Sequence, residues 1–239
     1  MLTTTLHRTK VWLQYHPNPK MQKLFVVLKT IRSSDIPTPA LWNHLALGLV
    51  TLTRTITSGL SRLLIYTPAF KARVSESGKN LNLYGGMPYI SGPLSIRIGD
   101  HCRISGQTTF SGRSASENPE LIIGNNVGIG WQTTIAVGNK VIIEDNVRIA
   151  GKAFLFGYSG HPLNAEQRAK GKPDTEQQVG DIHLKKDVWL GSNVSVSSGV
   201  TIGKGTIVAT GSVVTKDLPD YVLAAGNPAK VIRSILDQQ

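Results

Sequence analysis

An aliphatic residue recurs every six positions through the C-terminal part of the chain: Leu184, Leu190, Val196, Ile202, Val208 and Val214. A second apolar set falls four positions after the first, at Val188, Val194 and Val200, and glycine follows several members of the first, as in Leu190-Gly191 and Ile202-Gly203. A period of six matches neither the alternation of a strand nor the 3.6-residue turn of a helix. It fits a chain winding as a triangular solenoid with one short strand per face. One coil then takes roughly eighteen residues, and stacked coils bury a column of aliphatic side chains. A run of ordinary hairpins would instead alternate every two residues without a constant step.

The step extends upstream through Ile98, Ile104 and Phe110 and through Ile123, Ile129 and Ile135, and it resumes after a two-residue slip at Ile143, Ile149 and Leu155. Two stretches break it, residues 111–119 and about 156–181. A solenoid accepts insertions only as loops at an edge, and such loops tend to carry function. Asn125-Asn126 and Gly203-Lys204-Gly205 suit corners that need left-handed backbone angles. The expected organisation is a basic, amphipathic helical segment over 1–75 and an all-β solenoid over 76–239.

The first 75 residues lack the six-residue step and carry ten lysines and arginines against one acid, Asp35, within a chain whose formal charge is +11. Two helices are expected there, about 19–32 and 39–65, separated by the breakers around Pro37 and Pro39. The second is rich in leucine from Leu41 to Leu64, but Asn43, His44, Arg54 and Arg62 interrupt it, so it falls short of the apolar span a membrane helix needs. The first fifteen residues hold no signal-peptide core. The stripe has two uses open to it: packing on the solenoid or a neighbouring subunit, or lying on an anionic membrane surface at the cytoplasmic side. No nucleic-acid-binding motif accompanies the charge, so nucleic acid is not expected as a partner. Cys102, the only cysteine, excludes an intrachain disulfide and occupies an inward-facing slot of the repeat, which suits a reducing compartment.

The second insertion contains Gly157-Tyr158-Ser159-Gly160-His161-Pro162-Leu163-Asn164. A histidine on a loop leaving a rigid edge suits general-base work, because a neutral imidazole near pH 7 accepts a proton from an attacking hydroxyl. With Glu144-Asp145-Asn146-Val147, Val188-Trp189-Leu190-Gly191-Ser192, Gly199-Val200-Thr201-Ile202-Gly203, the run from Gly211 to Asp217 and the run from Ala225 to Arg233, the chain from Val141 onward resembles the hexapeptide-repeat O-acetyltransferases. The likeness is to the galactoside and maltose acetyltransferase group and its polysaccharide-modifying relatives. It covers about 100 residues, extends loosely back to Leu81 and leaves the helical segment outside.

That resemblance implies a left-handed parallel β-helix, a homotrimer and acetyl-CoA as co-substrate, with no metal or bound cofactor. It makes His161 the general base and places Trp189 where acceptor and thioester meet. Ser192, Thr210, Thr215 and Lys216 fall at positions lining the pantetheine channel, and Lys230 and Arg233 at positions near the nucleotide end. The galactoside enzymes carry an acceptor-binding asparagine where the count here lands on Gly130; Trp131 and Gln132 follow it, an aromatic for a sugar face and an amide for a hydroxyl. Galactose or maltose is therefore not implied as the acceptor. Glu144 replaces a usual glycine and either sits at a corner or orients His161. The expected activity is acetyl transfer to a saccharide hydroxyl in cell-surface polysaccharide biosynthesis. The alternatives are another acceptor, such as an antibiotic, an amino-sugar nitrogen or serine, and a solenoid scaffold without catalysis. A metal enzyme on the same solenoid needs histidines at a spacing that His101, His161 and His183 do not have.

Overall fold

A computed structural model describes residues 2–238. Its contacts part the chain into two compact units between Thr53 and Arg54. In the first unit α1 (Leu2–Gln14) packs along α2 (Pro19–Ser33), whose N-terminus is capped by the Asn18 side chain accepting from the Lys20 amide. The following helix α3 (Ala40–Ser61) passes through a π turn at Arg62–Tyr66 into α4 (Thr67–Arg73). Helix thus replaces the expected stop near 65 and also covers residues 2–14, where none is expected from the sequence. The π turn has a local cause: Pro68 lacks an amide hydrogen, and the wider turn, with the Thr67 amide donating to the Arg62 carbonyl, absorbs it without ending the helix.

The second unit holds the solenoid. Its first two turns comprise β1 (Glu76–Ser77), β2 (Asn82–Tyr84), β3 (Tyr89–Ser91), β4 (Ser95–Ile98), β5 (Arg103–Ser105) and β6 (Thr109–Gly112). Then come β7 (Glu120–Ile123), β8 (Gly128–Ile129), β9 (Thr134–Val137), β10 (Lys140–Ile143), β11 (Arg148–Ile149) and β12 (Phe154–Phe156). The last turns are β13 (Ile182–Leu184), β14 (Trp189–Leu190), β15 (Ser195–Ser197), β16 (Thr201–Ile202), β17 (Ile207–Val208) and β18 (Val213–Val214), followed by β19 (Val222–Gly226) and β20 (Ala229–Ser234). From β1 to β18 every third strand joins the same sheet, so three parallel sheets form the faces of a left-handed β-helix of about seven turns, and β19 and β20 extend the second.

The six-residue step becomes three buried columns. Ile98, Ile123, Ile143, Leu184 and Ile202 stand in register on the first sheet. Ile104, Ile129, Ile149, Leu190 and Val208 do so on the second, and Phe110, Ile135, Leu155, Val196 and Val214 on the third. Fully burying one such side chain is worth about 1.5–3 kcal/mol. Between the first and second sheets the corner residues His101, Asn126, Asn146, Asp187 and Gly205 all take positive φ. Asparagine, aspartate and histidine tolerate that region better than most residues, so the corners need few glycines.

Both ends of the column are closed. Phe70 of α4 and Val74 are buried against the first turn, and Arg73 donates to the Leu94 and Gly92 carbonyls. At the other end β19 and β20 form an antiparallel hairpin, and Ile235 is buried beyond it. Cys102 is part of the core. Burial pushes its thiol pKa up, and its sulfur donates to the Gly124 carbonyl at 3.1 Å, a setting for packing and not for nucleophilic chemistry.

Candidate active site

Both interruptions of the repeat leave the same corner of the triangle, where the third sheet hands over to the first. The shorter joins β6 to β7 and the longer joins β12 to β13. The longer loop has a tight neck. Tyr158 bridges Val179, the Gly157 amide donates to the Ala136 carbonyl and the Gly180 amide to the Gly157 carbonyl. Gly138 sits against this neck so closely that a Cβ there would come within 2.5 Å of the Gly157 oxygen.

The two insertions are joined by a buried ion pair. Arg113, from the shorter loop, donates from Nε to Asp174 Oδ1 at 2.8 Å and from Nη1 to Glu176 Oε1 at 2.8 Å. Its side chain and that of Asp174 are only 4% and 3% exposed. Burial works against the charge of Arg113, but the hydrogen bonds to Asp174 and Glu176 outweigh it and raise the guanidinium pKa above the ordinary arginine value. The other carboxylate oxygen, Asp174 Oδ2, accepts from the amide of Gly160, which takes φ +76°. The residue next to His161 is therefore tied through Asp174 to the solenoid edge.

His161 itself is held through its main chain. Its carbonyl accepts from Gln178 Nε2 and from Ser159 Oγ, both at 2.9 Å, and Arg168 Nη1 donates to the Pro162 and Leu163 carbonyls. The short helix α5 (Ala165–Ala169) that follows is capped by Asn164, whose side chain accepts from the Gln167 amide. The imidazole is exposed and makes no hydrogen bond to any described residue. A backbone fixed on both sides with a free imidazole presents a base to an incoming molecule at little entropic cost on binding.

The other residues singled out from the sequence fall in three places. Trp131, Ser192 and Thr210 lie at the corner between the second and third sheets, each two residues after the register column of Ile129, Leu190 and Val208, and Gln132 follows Trp131. Trp131 is 48% exposed with Lys152 Nζ 5.0 Å over its ring, and Gln132 adopts φ +55°. The absence of a side chain at Gly151 makes room for the indole, since a Cβ there would meet Trp131 Nε1 at 2.6 Å. Trp189, 51% exposed, lies on the outer face of the second sheet. Arg233 shares its row, through Ile207 and Leu223, about 14 Å away at the usual strand spacing. Lys230, opposite Ala225 in the same hairpin, is exposed. Thr215 and Lys216 lie at the corner from which the His161 loop leaves, about 16 Å along the chain from Thr210. One chain thus gathers Trp131, Gln132, Ser192 and Thr210 at one edge of the third sheet, and His161, Thr215 and Lys216 at the other.

Glu144 occupies a corner and does not touch His161. Its Oε1 lies 2.6 Å from His183 Nε2, and its Oε2 accepts from the Lys186 amide at 2.8 Å. Of the two roles open to it from the sequence, the structure selects the corner. Arg113, Asp174, Glu176 and Gln178 escaped the sequence reading altogether. The signal that points to them is positional: both breaks in the repeat begin one residue after a third-sheet column residue, Phe110 and Leu155, so the two loops had to emerge at one corner.

A family model described as bacterial transferase hexapeptide (six repeats) matches residues 181–216. The chain is 41% identical over 123 residues to the galactoside O-acetyltransferase of Escherichia coli, covering 52% of this chain and 58% of that protein. It is 33% identical over 142 residues to the galactoside O-acetyltransferase of Lactococcus lactis, covering 59% of this chain and 63% of that one. It therefore spans less than two thirds of the length of these relatives. Among solved structures, the N-acyltransferase AntD of Bacillus cereus, in complex with dTDP and 3-hydroxybutyryl-CoA, aligns over 72% of this chain and 89% of its own with a TM-score of 0.56. At 20% identity that likeness is one of fold.

Proposed function

We propose that this chain, a hexapeptide-repeat solenoid similar in sequence to galactoside O-acetyltransferases, transfers the acetyl group of acetyl-CoA to a saccharide hydroxyl. The observation that carries the reading is His161. It is an exposed imidazole on a loop that a buried ion pair fixes to the solenoid edge. Neutral His161 takes the proton of the acceptor hydroxyl as its oxygen attacks the thioester carbonyl carbon. The tetrahedral intermediate collapses with cleavage of the carbon–sulfur bond, and the imidazolium returns its proton to the departing thiolate.

Trp189, Trp131 and Gln132 are assigned to the acceptor, the aromatics stacking on sugar C–H faces. Trp189, Ser192, Thr210, Thr215 and Lys216 are assigned to the pantetheine arm. Lys230 and Arg233 are assigned to the coenzyme phosphates, which favour charge-assisted hydrogen bonds from cations. Because one chain separates these groups to opposite edges of the third sheet, the complete site is assigned to the junction of neighbouring chains in a homotrimer.

The first 75 residues support a location at an anionic membrane surface on the cytoplasmic side, where acetylation of a surface polysaccharide or its lipid-linked precursor would take place. They carry ten cations against Asp35. Leu41, Leu45, Leu49, Leu52, Ile56, Leu60, Leu63 and Leu64 are all exposed, and no described helix is long and apolar enough to cross a membrane. The test of the activity is release of free CoA, followed with a thiol dye, from acetyl-CoA across a panel of saccharides. Acceptor-dependent release supports the reading. Release absent with every saccharide, but present with serine or an amine, would move the chain to another acceptor class.

A further inference from the structure

The outer face of the second sheet carries, beside Trp189, a group of residues to which the proposed chemistry assigns no role. Asn82, Arg103, Gly128, Arg148 and Trp189 stand in register on the adjacent strands β2, β5, β8, β11 and β14. They line a cleft of about 640 Å³ together with Tyr84. Arg103 and Arg148 flank Gly128, two strand spacings or about 10 Å apart. Gly128 forms a floor without a side chain, and the stem of Arg148 lies across it, so that a Cβ there would meet Arg148 Cδ at 3.3 Å.

Both guanidiniums are oriented by neutral partners. Arg103 lies over the Tyr84 ring with 4.7 Å to its centroid. Arg148 donates from Nη1 to the Asn126 carbonyl, and from Nη2 to Asn126 Oδ1 at 3.1 Å. Among the described residues neither forms an ion pair, whereas Arg97 and Arg113 each find a carboxylate. Two fixed cations without counter-charges, one of them lying across a glycine floor and beside an exposed tryptophan, match a ligand with a sugar-like ring and a negative group. The ring meets the aromatic, and a phosphate or carboxylate oxygen meets the planar donors of arginine.

We propose that this cleft is an acceptor subsite and that the acceptor is an anionic saccharide, bearing a phosphate or a carboxylate. The inference deepens the acetyltransferase reading and rests on it, but it is tested separately, by equilibrium binding. The full-length chain is titrated at low salt with glucose, glucuronic acid and glucose 6-phosphate, and independently with CoA. The proposal expects both or one of the anionic probes to bind at least about tenfold more tightly than glucose, and the tighter of the two identifies the charged group.

Arg103→Gln combined with Arg148→Gln should abolish that preference and leave CoA affinity within about twofold of the parent. Gly128→Leu displaces the Arg148 stem that lies across the floor and should weaken both anionic probes. Because Arg148 also braces a corner, each variant is checked for an unchanged melting profile, and the single Arg103→Gln substitution gives the same readout if the double variant does not fold. Equal binding of the three sugars by the parent chain, or an anionic preference that survives both arginine substitutions, overturns the proposal. So does a fall in CoA affinity parallel to that of the sugars, which would assign the cleft to coenzyme phosphates. None of these results touches acceptor-dependent CoA release, so the activity stands or falls on its own.

Discussion

Asp174 holds two things at once: the buried guanidinium of Arg113 and the amide of Gly160 beside His161. Removing one member of a buried pair typically costs about 3–5 kcal/mol, a figure that the remaining Glu176 partner of Arg113 reduces here. Asp174→Asn should therefore lower the melting temperature and make the 157–181 loop the first site of limited proteolysis, while the solenoid core stays protected. A variant with unchanged stability and loop resistance would show that the pair does not anchor the loop. At this scale the sequence was legible only in part. His161 stands out by its place in an insertion, and Cys102 by its slot in the repeat. The partners of both loops were hidden, because Arg113 and Asp174 lie far apart in the chain and meet only after two full coils have closed. The same holds for Glu144, whose partner His183 is brought alongside only when β10 pairs with β13.

Elements with a strict step were readable and elements without one were not. The strands follow from the six-residue columns, since any shift would turn a buried isoleucine or valine outward. Helix α1, rich in threonine, has weak propensity of its own and is stabilised by packing along α2, which no local pattern announces. The helix beyond residue 65 likewise persists because Phe70 and Val74 bury themselves over the first coil. Those two residues also define a sensible truncation. A chain beginning at Ser61 keeps the Arg62 bond to Asn82 and the Phe70 cap but lacks most of the exposed leucines and cations. Each cation near an anionic surface contributes on the order of 1 kcal/mol, an effect that salt weakens. The full chain should co-sediment with anionic vesicles at low salt and release as salt rises, whereas the truncated chain should stay soluble and unbound. Equal vesicle binding by both chains, or none by the full chain, would reject a membrane role for the segment.

Over the whole molecule, the solenoid accounts for the division of the candidate site. A triangular prism sets its three corners apart, so Thr215 and Lys216, at the corner from which the His161 loop leaves, stand at the opposite edge of the third sheet from Trp131, Ser192 and Thr210. If neighbouring chains complete the site, His161→Ala and Trp189→Ala chains, each inactive alone, should regain part of the activity when co-assembled, because some junctions then carry both intact residues. Absence of recovery in verified mixed oligomers would place the site within one chain. The prism was foreseeable from the period alone. The central claim, acetyl transfer with His161 as base, is tested most directly by the turnover of His161→Ala with acetyl-CoA and a saccharide that the parent chain acetylates. Loss of roughly 10²–10⁴ in turnover, with acetyl-CoA binding and oligomeric state retained, is the predicted result. Near-parental turnover in a well-folded variant would contradict it.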